Sequence, residues 1–592
     1  MSGSVKMKKW LPFIVVFIAL GILLQCFKYH FFYIEQLRIF LFDKGYLLGC
    51  LGAPAGFSGI VADFLTQAYR FPLCGPLITA GLLTLIAILT SSVLKKVCGN
   101  DSFFILGLLP AILAISDVLN IGYNHSGLVA EIIMLAFLLL IINIKSEKKR
   151  LLISILSVIA VYWLCGSAAL ILALSVILWK LVKDPGKAVY YLIPLLLVPL
   201  MAWAATAAGL TSGFKTTLLP DNYYTDPGNM PWTRFLFWGC IPVIVPVVSL
   251  FRNKEWSKSA KTSSLTLQAC LVAGAAVFAV NGIDKDLYNF ETADTFVRNK
   301  EWNRILELYR SKPETHNKIM VSLVDLALAE NGNLAEDLFK YGQYGCEALM
   351  PGSNPDILTS SVGSELYWSM GMVGLSQRMA FEQDMYAAGI HNPRALQRLI
   401  RTNLVFGEYD IAEKYISLME KCPAYRKWAK SQRQFLNDEA VVADTELDGL
   451  RRCLPDTTFL GEVAGLDMDL RKVIDSNPEH TQSIQYLQSI FLLDKDLSSL
   501  MAMLNEYYGT EAMTSLPTPV QEAITILADS NNMPDLLVKY PVESSVKKRF
   551  RNFKSAMTSG PSSPKALKKS LREKFGDTFW YYAFFLNDGN NE

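Results

Sequence analysis

The first half of the chain alternates between long apolar runs and short polar connections. Apolar runs of roughly 16 to 22 residues recur up to residue 283, and at a rise of about 1.5 Å per residue this is the length of a membrane-spanning helix. The pattern predicts about nine spans. They cover residues 10–27, 73–94, 103–119, 126–144, 151–165, 169–181, 188–210, 235–251 and 265–281.

The second half has helical periodicity and almost no alternating strand pattern. Proline, glycine and asparagine break it into short helices, which is typical of stacked helical hairpins. In the clearest hairpin, Gly407, Tyr409 and Ala412 follow an apolar helix at residues 399–406, and the small residues let two helices approach closely. The predicted fold class is therefore all-α: a polytopic transmembrane bundle followed by a soluble α-solenoid of the tetratricopeptide-like kind. A non-repetitive helical domain is the alternative.

These patterns predict a transmembrane domain at residues 1–283 and a helical-repeat domain at residues 284–592. Lysine and arginine concentrate in the N-terminal segment and in every second connection after it, which indicates that these parts lie in the cytoplasm. An odd number of spans then places the second domain on the opposite face. The sequence predicts a multi-pass protein of the cell inner membrane with a cytoplasmic N-terminus and a periplasmic C-terminal domain.

The amino-acid composition limits the classes of molecule that the protein could bind. A net charge of +2 gives no reason to expect a nucleic acid, whereas the apolar runs require a lipid bilayer. The 10 cysteines occur singly, the 5 histidines form no paired spacing, and no phosphate-binding glycine loop is present in the sequence. We therefore expect no metal ion and no cofactor.

The first outer connection, residues 28–72, is both long and chemically varied. Its apolar residues between 57 and 71 follow helical spacing, and they leave Asp63, Gln67 and Arg70 on the opposite face. This pattern predicts a helix at the membrane interface with its polar face toward water or toward a cavity between spans.

Two acids precede that helix. Glu35 and Asp43 lie just beyond the outer end of the first span, where a low dielectric can raise the pKa of a carboxylate toward neutrality and make it a general base. The alternative is that both acids pair with Arg38, Lys44 or Arg70 at the level of the lipid headgroups.

A second outer connection is short and densely polar. It contains Asp117 and His125, with Glu131 shortly after, and we expect Asp117 and Glu131 to lie within membrane depth, where an ionisable side chain is costly and indicates function. Helix capping, with His125 as an interfacial side chain, is the alternative.

Five blocks of the sequence share a resemblance to one known family. They are Glu35-Gln36-Leu37-x-x-Phe40, Phe64-Leu65-Thr66-Gln67, Tyr123-Asn124-His125-Ser126-Gly127-Leu128, Arg398-Leu399-x-x-Thr402-Asn403-Leu404 and Tyr425-Arg426-x-Trp428. These blocks resemble an uncharacterised family of Bacteroidota multi-pass membrane proteins. The chain departs from that family at Ala55, where the family usually has a glycine. The resemblance implies a location and a layout but no reaction.

The order of these parts is also similar to the layout of membrane glycosyltransferases of the GT-C kind, which use a polyprenyl-phosphate sugar donor. That likeness implies Glu35 or Asp43 as the catalytic base. It further implies that a lipid-linked sugar meets a set of substrate-binding residues, namely Asp63, Gln67, Arg70, Asp117, His125 and Glu131.

Two function classes follow from the layout. In the first, the spans anchor a helical-repeat domain that binds envelope proteins through its concave face, so the protein is an interaction or envelope-assembly scaffold. In the second, the protein is a GT-C-like glycosyltransferase acting at the periplasmic face. Whether the protein is an enzyme stays open at this point.

Overall fold

The structure, a computed structural model, describes residues 2–211, 213–225, 232–252, 254, 256–311, 317–350, 356–387, 389–459, 461 and 465–586. Within these ranges the chain forms helices joined by turns, and no strand occurs. The prediction of an all-helical fold is confirmed.

The chain divides into two compact units. The first unit consists of Met1–Tyr288 together with Lys421–Arg426, and the second consists of Asn289–Glu420 together with Lys427–Glu592. The short segment Lys421–Arg426 belongs to the first unit although it is distant from it in sequence. Nothing in its local composition indicates this placement.

The first unit is built from helices of very different lengths. They are Ser2–Gln25, Lys28–Glu35, Lys44–Leu51, Gly56–Thr66, Cys74–Cys98, Leu109–Val118, Ser126–Asn143, Glu147–Cys165, Ala168–Lys183, Pro185–Ala188, Leu192–Ala207, Phe214–Leu218, Arg234–Ser249 and Lys258–Asn281.

Helices occupy the predicted spans, but only some could cross a bilayer alone. Among the described residues, four are long and apolar enough, and a fifth is added if Trp10–Gln25 and Lys28–Glu35, which are bent by 77°, count as one span. Arg234–Ser249 has 16 residues, which is about 24 Å of helix against a hydrocarbon core of about 30 Å. The four are Cys74–Cys98, Ser126–Asn143, Pro185–Ala207 and Lys258–Asn281.

The surface of the first unit carries many large apolar side chains. Leu196, Trp203, Val243 and Val277 are all at least 60% exposed, while leucines and valines from the same group of helices form a closed core. Large contiguous apolar surfaces are typical of contact with a membrane or a partner.

The helix predicted in the first outer connection is present as Gly56–Thr66 and continues as a 3-10 turn at Gln67–Arg70. Its polar side faces the interior, because Asp63 is 6% and Gln67 is 7% exposed, whereas Phe64 is 49% exposed. Asp63 and Gln67 are therefore directed into the protein, whereas Arg70, which the sequence placed on the same face, is exposed.

The second unit is an array of helices in which successive members pack against each other, for example Ile357–Ser369 on Val373–Met385 and Val373–Met385 on Pro393–Phe406. Its helices are Lys285–Arg298 (which begins in the first unit), Trp302–Ser311, Lys318–Glu330, Leu334–Asp337, Cys346–Leu349, Ile357–Ser369, Val373–Met385, Pro393–Phe406, Tyr409–Met419, Arg426–Gln432, Asp438–Ala443, Thr445–Arg452, Leu466–Ser476, Thr481–Leu493, Leu497–Tyr507, Thr518–Ser530, Leu536–Lys539, Ser544–Ser559, Pro564–Phe575 and Phe579–Phe585.

The helix Pro393–Phe406 shows how the local sequence sets its ends. The side chain of Asn392 accepts hydrogen bonds from the backbone N–H groups of Arg394 and Ala395, and Pro393 occupies the first turn, where its missing N–H is not needed. At the other end Gly407 adopts a left-handed conformation with φ of 77°, which glycine tolerates without strain. Asn392 and Gly407 therefore fix the position of this helix in the array.

The C-terminal helices of the second unit contain a buried acid, Glu522. Glu522 is 2% exposed, its carboxylate accepts from the backbone N–H of Phe579 at 2.7 Å, and its own carbonyl accepts from the Trp580 indole at 2.9 Å. Burial raises the pKa of Glu522 to about 8, and the hydrogen bond from Phe579 reverses this only in part. The folded unit thus holds this carboxyl in its protonated form near neutral pH.

We expect the stability of the protein to fall as the pH rises toward 8, because the unfolded chain releases the Glu522 proton near pH 4 to 5 and the folded protein retains it up to about pH 8. The stabilisation that Glu522 gives in its protonated form is present in full below the pKa of Glu522 in the unfolded chain. It is lost as the pH rises through the pKa of Glu522 in the folded protein. At about 1.36 kcal/mol per pKa unit it amounts to a few kcal/mol. Glu522→Gln should flatten this dependence in thermal unfolding of the detergent-purified protein.

Asp529→Asn is the matched control, since Asp529 lies on the same helix in an exposed ion pair with Lys554 at 2.8 Å. It should leave the pH profile unchanged. An unaltered profile in Glu522→Gln would show that Glu522 is ionised in the folded protein.

Candidate functional site

Glu35, the first predicted base, is closed off from solvent. It is the last residue of the helix Lys28–Glu35 and is 1% exposed. The hydroxyl of Tyr425 donates a hydrogen bond to its carboxylate at 2.9 Å. This geometry holds Tyr425 in place and leaves Glu35 no open route to a substrate hydroxyl.

Asp43, the second predicted base, begins the next helix. Its carboxylate accepts from the backbone N–H of Tyr46 at 3.1 Å and from the Lys421 ammonium at 2.8 Å. The Lys421 hydrogen bond, followed by the Tyr46 hydrogen bond, lowers the pKa of Asp43 below its ordinary value. The expectation of a raised pKa at Asp43 is therefore wrong, because a cation and a helix N-terminus stabilise the ionised form.

Both acids contact the segment Lys421–Arg426, and two more predicted site residues do the same. The amide oxygen of Gln67 is 2.9 Å from the Cys422 thiol, and the Arg70 guanidinium lies 5.7 Å from the centre of the Tyr425 ring. Sequence reasoning expected Arg38, Lys44 or Arg70 as partners of the acids. The structure brings Tyr425 to Glu35 and Lys421 to Asp43, so these residues form an anchor for a distant segment.

Asp63 has a different partner. The Arg38 guanidinium donates to its carboxylate at 2.6 Å, and the Tyr46 hydroxyl donates at 3.2 Å. The side chains of Arg38 and Asp63 are only 18% and 8% exposed. This largely buried ion pair joins the start of the outer connection to the helix Gly56–Thr66.

Asp117, His125 and Glu131 lie deep in the first unit, each at most 2% exposed. Asp117 accepts from the Thr233 hydroxyl at 3.2 Å, and the His125 ring packs 5.4 Å from the Tyr69 ring. Within the described ranges, neither ring nitrogen of His125 and neither carboxylate oxygen of Glu131 has a hydrogen-bond partner. Burying an ionised group without a partner is costly, so these side chains are the least satisfied polar groups of the predicted site.

The predicted residues therefore occupy separate environments. Glu35, Asp43, Gln67 and Arg70 surround Lys421–Arg426, Asp63 pairs with Arg38, and the remaining three are buried among the longer helices.

The second unit contains a cavity of about 650 Å³ that sequence reasoning missed. One wall is the helix Pro393–Phe406, which directs Arg394, Arg398 and Arg401 into it. Their spacing of four and three residues places them on one helix face. This spacing beside Trp368 on the neighbouring helix is the signal in the sequence that could have indicated the cavity.

Glu365 is shared by two of these arginines. Arg394 donates to one carboxylate oxygen at 3.1 Å and Arg398 donates to the other, while Arg394 also pairs with Asp294. Burial acts to raise the pKa of Glu365, but Arg398 and Arg394 outweigh it and bring the pKa to about 2. Glu365 therefore stays ionised and orients both guanidinium groups.

Glu446 is shared in the same way by two cations. It accepts from Lys300 at 2.9 Å, from Arg401 at 3.1 Å and from the Trp368 indole at 3.1 Å. Burial raises its pKa, yet Arg401 and Lys300 reverse this and bring the pKa to about 2. Arg398 covers the Trp368 ring at 4.2 Å from its centre, so the ring and the ion pairs form one rigid wall.

The side chains that line the cavity favour the binding of a ligand. His480, which also lines it, has its pKa lowered to about 4 by burial and is therefore neutral at pH 7. Ser369 donates its hydroxyl to Glu330 at 2.6 Å, which leaves that hydroxyl engaged. The paired arginines and the tryptophans can recognise a charged ligand, and the fixed ion pairs preorganise them for it.

A double-mutant cycle on Arg38 and Asp63 tests the buried ion pair of the first unit. Either Arg38→Gln or Asp63→Asn alone should destabilise the protein by about 3 kcal/mol, because each removes one partner of a largely buried ion pair. The double variant should lose less than the sum of the two, as measured by denaturant unfolding in detergent.

The exposed pair Lys95 and Asp101, at 2.7 Å in the same unit, is the control and should show coupling below about 0.5 kcal/mol. Additive effects at Arg38 and Asp63 would contradict a direct interaction between them.

Comparison with known proteins gives a family but no activity. No curated protein matches the chain. No solved structure matches it either. The model of a family of unknown function, DUF6057, matches residues 4–586, which is nearly the whole chain. The protein therefore belongs to the DUF6057 family.

Proposed function

We propose that this protein is a scaffold of the inner membrane that holds an envelope partner in the cavity of its second unit. The observation that carries the proposal is the cavity itself, in which Glu365 and Glu446 each orient two cations beside Trp368. Ligand sites in proteins commonly enclose about 300 to 1,000 Å³ and combine aromatic surface with a few placed polar groups.

The first unit supports the membrane part of the proposal. Its span-length apolar helices and its exposed leucine, valine and tryptophan side chains suit contact with lipid. We infer nine spans, in which the shorter helices cross together with their longer neighbours. With the observed bias of basic residues, this number puts the N-terminus in the cytoplasm and the second unit in the periplasm.

The second unit supports the scaffold part. The helices Pro393–Phe406 and Tyr409–Met419 form a hairpin around Gly407, and Ala412 is fully buried between helices. We interpret this unit as a degenerate tetratricopeptide-like array. Arrays of this kind bind partners on surfaces formed by successive helices, which is where the cavity lies.

The glycosyltransferase alternative has less support. It requires Glu35 or Asp43 as a base at an open site, whereas Glu35 is buried under Tyr425 and the pKa of Asp43 is lowered by Lys421. A base whose pKa lies far below neutrality accepts a proton poorly from a hydroxyl group.

The topology can be tested with alkaline phosphatase, which is active only in the periplasm. A fusion after Lys145 should be inactive, because an even number of spans precedes it. A fusion after Leu586 should be active, because an odd number of spans separates the N-terminus from the second unit. A fusion after Asn281 should behave like the one after Leu586. Activity after Lys145 would contradict the proposed orientation.

Complementation of a deletion strain separates the scaffold from the enzyme. Arg401→Gln should lose complementation in an assay of envelope integrity, because it removes a cation from the cavity while Glu446 keeps Lys300. Glu35→Gln with Asp43→Asn should complement.

Arg433→Gln is the matched control, since Arg433 forms surface pairs with Glu413 and Glu420 away from the cavity. Protein levels are compared by immunoblot. Full complementation by Arg401→Gln together with failure of the Glu35 and Asp43 variant would refute the scaffold and favour the enzyme.

A further inference from the structure

We propose that the cavity of the second unit binds an acidic saccharide, a ligand that carries several hydroxyl groups and at least one carboxylate. The inference rests on the proposed function, because it names the chemical class of the partner held at that site. Three features of the cavity support it: the balance of charges, the sign of the charge on individual side chains, and the ion pair of Lys300 with Glu446.

The charge balance indicates an anionic ligand. Among the described residues that line the cavity, five are cationic, whereas three carry carboxylates. Glu365 and Glu446 each orient two cations, and Asp294 is a second acidic partner of Arg394. The Arg401 Nε is buried and has no hydrogen-bond partner within the described ranges. A carboxylate entering this wall would receive charge-assisted hydrogen bonds from groups that are already oriented.

The carboxylates of the cavity discriminate between anionic ligands. Glu365 and Glu446 remain ionised at neutral pH, since cations hold the pKa of each at about 2, and an ionised carboxylate only accepts hydrogen bonds. Such groups repel the closely spaced charges of an acidic peptide. They suit an acidic saccharide, whose hydroxyls donate to carboxylates and accept from guanidinium groups, and whose carboxylates are separated by sugar rings.

The other side chains that line the cavity also combine apolar surface with polar groups. Trp302 and Trp428 line the cavity and are only half-buried, so they can offer flat apolar surface to a sugar ring. Gln397 and Gln482 add amide groups that both donate and accept. Apolar aliphatic side chains form a minority of the described lining, which leaves little room for the apolar residues of a peptide.

Lys300 provides an independent observation. It follows the helix Lys285–Arg298 and has a left-handed backbone with φ of 56°. Glycine is the usual residue at such a position, because a side chain there strains the backbone. The structure accepts this strain and thereby directs the Lys300 ammonium to Glu446 at the cavity. Lys495 has the same conformation away from the cavity, so the ion pair with Glu446, and not the strain, connects Lys300 with the cavity.

The test compares Lys300→Gly with Lys495→Gly in the full-length protein in detergent. Lys495 also has φ of 56° and also follows a helix of the second unit, but it does not line the cavity. Both variants relieve the same backbone strain, and Glu446 keeps Arg401 in the first. Thermal unfolding should show that neither variant is less folded than the parent protein.

Binding is measured by quenching of tryptophan fluorescence with a trimer of galacturonic acid, with the neutral trimer of galactose, and with triglutamate. The acidic trimer should bind at least about tenfold more tightly than either other probe. Lys300→Gly should weaken its binding by about tenfold, and Lys495→Gly should leave it within about twofold. Added salt should weaken binding of the acidic trimer to the parent protein.

Three outcomes would overturn the proposal. They are equal binding of the galactose and galacturonic acid trimers, unchanged binding in Lys300→Gly, and tighter binding of triglutamate that Lys300→Gly abolishes. The last outcome would assign the cavity to an acidic protein segment. Failure of this inference is distinct from failure of the scaffold, because loss of complementation in Arg401→Gln would still show that the cavity is needed for function.

Discussion

Glu365 is the group on which the organisation of the cavity depends. Its carboxylate lies between Arg394 and Arg398, and Arg394 extends the network to Asp294 on another helix. Buried charges are tolerated only when they are paired, and removal of one partner leaves the others uncompensated. Glu365 joins the helices Ile357–Ser369 and Pro393–Phe406, and Asp294 joins Lys285–Arg298 to them through Arg394, so the guanidinium groups acquire fixed orientations. Preorganisation of this kind reduces the cost of ordering side chains when a ligand binds.

The first unit satisfies the same constraint by other means. Arg38 and Asp63 form an ion pair of low exposure, whereas Glu35 is hydrogen-bonded by Tyr425 and Asp43 is paired with Lys421. The acids that suggested catalysis are thus engaged in holding Lys421–Arg426. Glu131 and His125 remain without hydrogen-bond partners among the described residues, and they are the groups of this unit that a bound ligand or a proton would satisfy.

The proposed function rests on a site built from side chains and not on the fold as such. An all-helical layout with apolar spans suits enzymes, transporters and scaffolds equally. The cavity narrows the choice, because ionised carboxylates, guanidinium groups and tryptophans on a rigid wall favour recognition of a charged ligand. Lys300, which has a left-handed backbone, pairs with Glu446 on the same wall.

The sequence by itself determined the helical fold and many helix ends. Apolar periodicity is a local property, and Asn392, Pro393 and Gly407 act through neighbouring backbone groups, so both can be read without a structure. Tertiary structure alone decided which polar groups meet. Tyr425 lies 390 positions from Glu35, and Arg394 lies 100 positions from Asp294. Periodicity shows which face of a helix is polar, but the pKa and the role of an acid depend on the partner that folding brings to it.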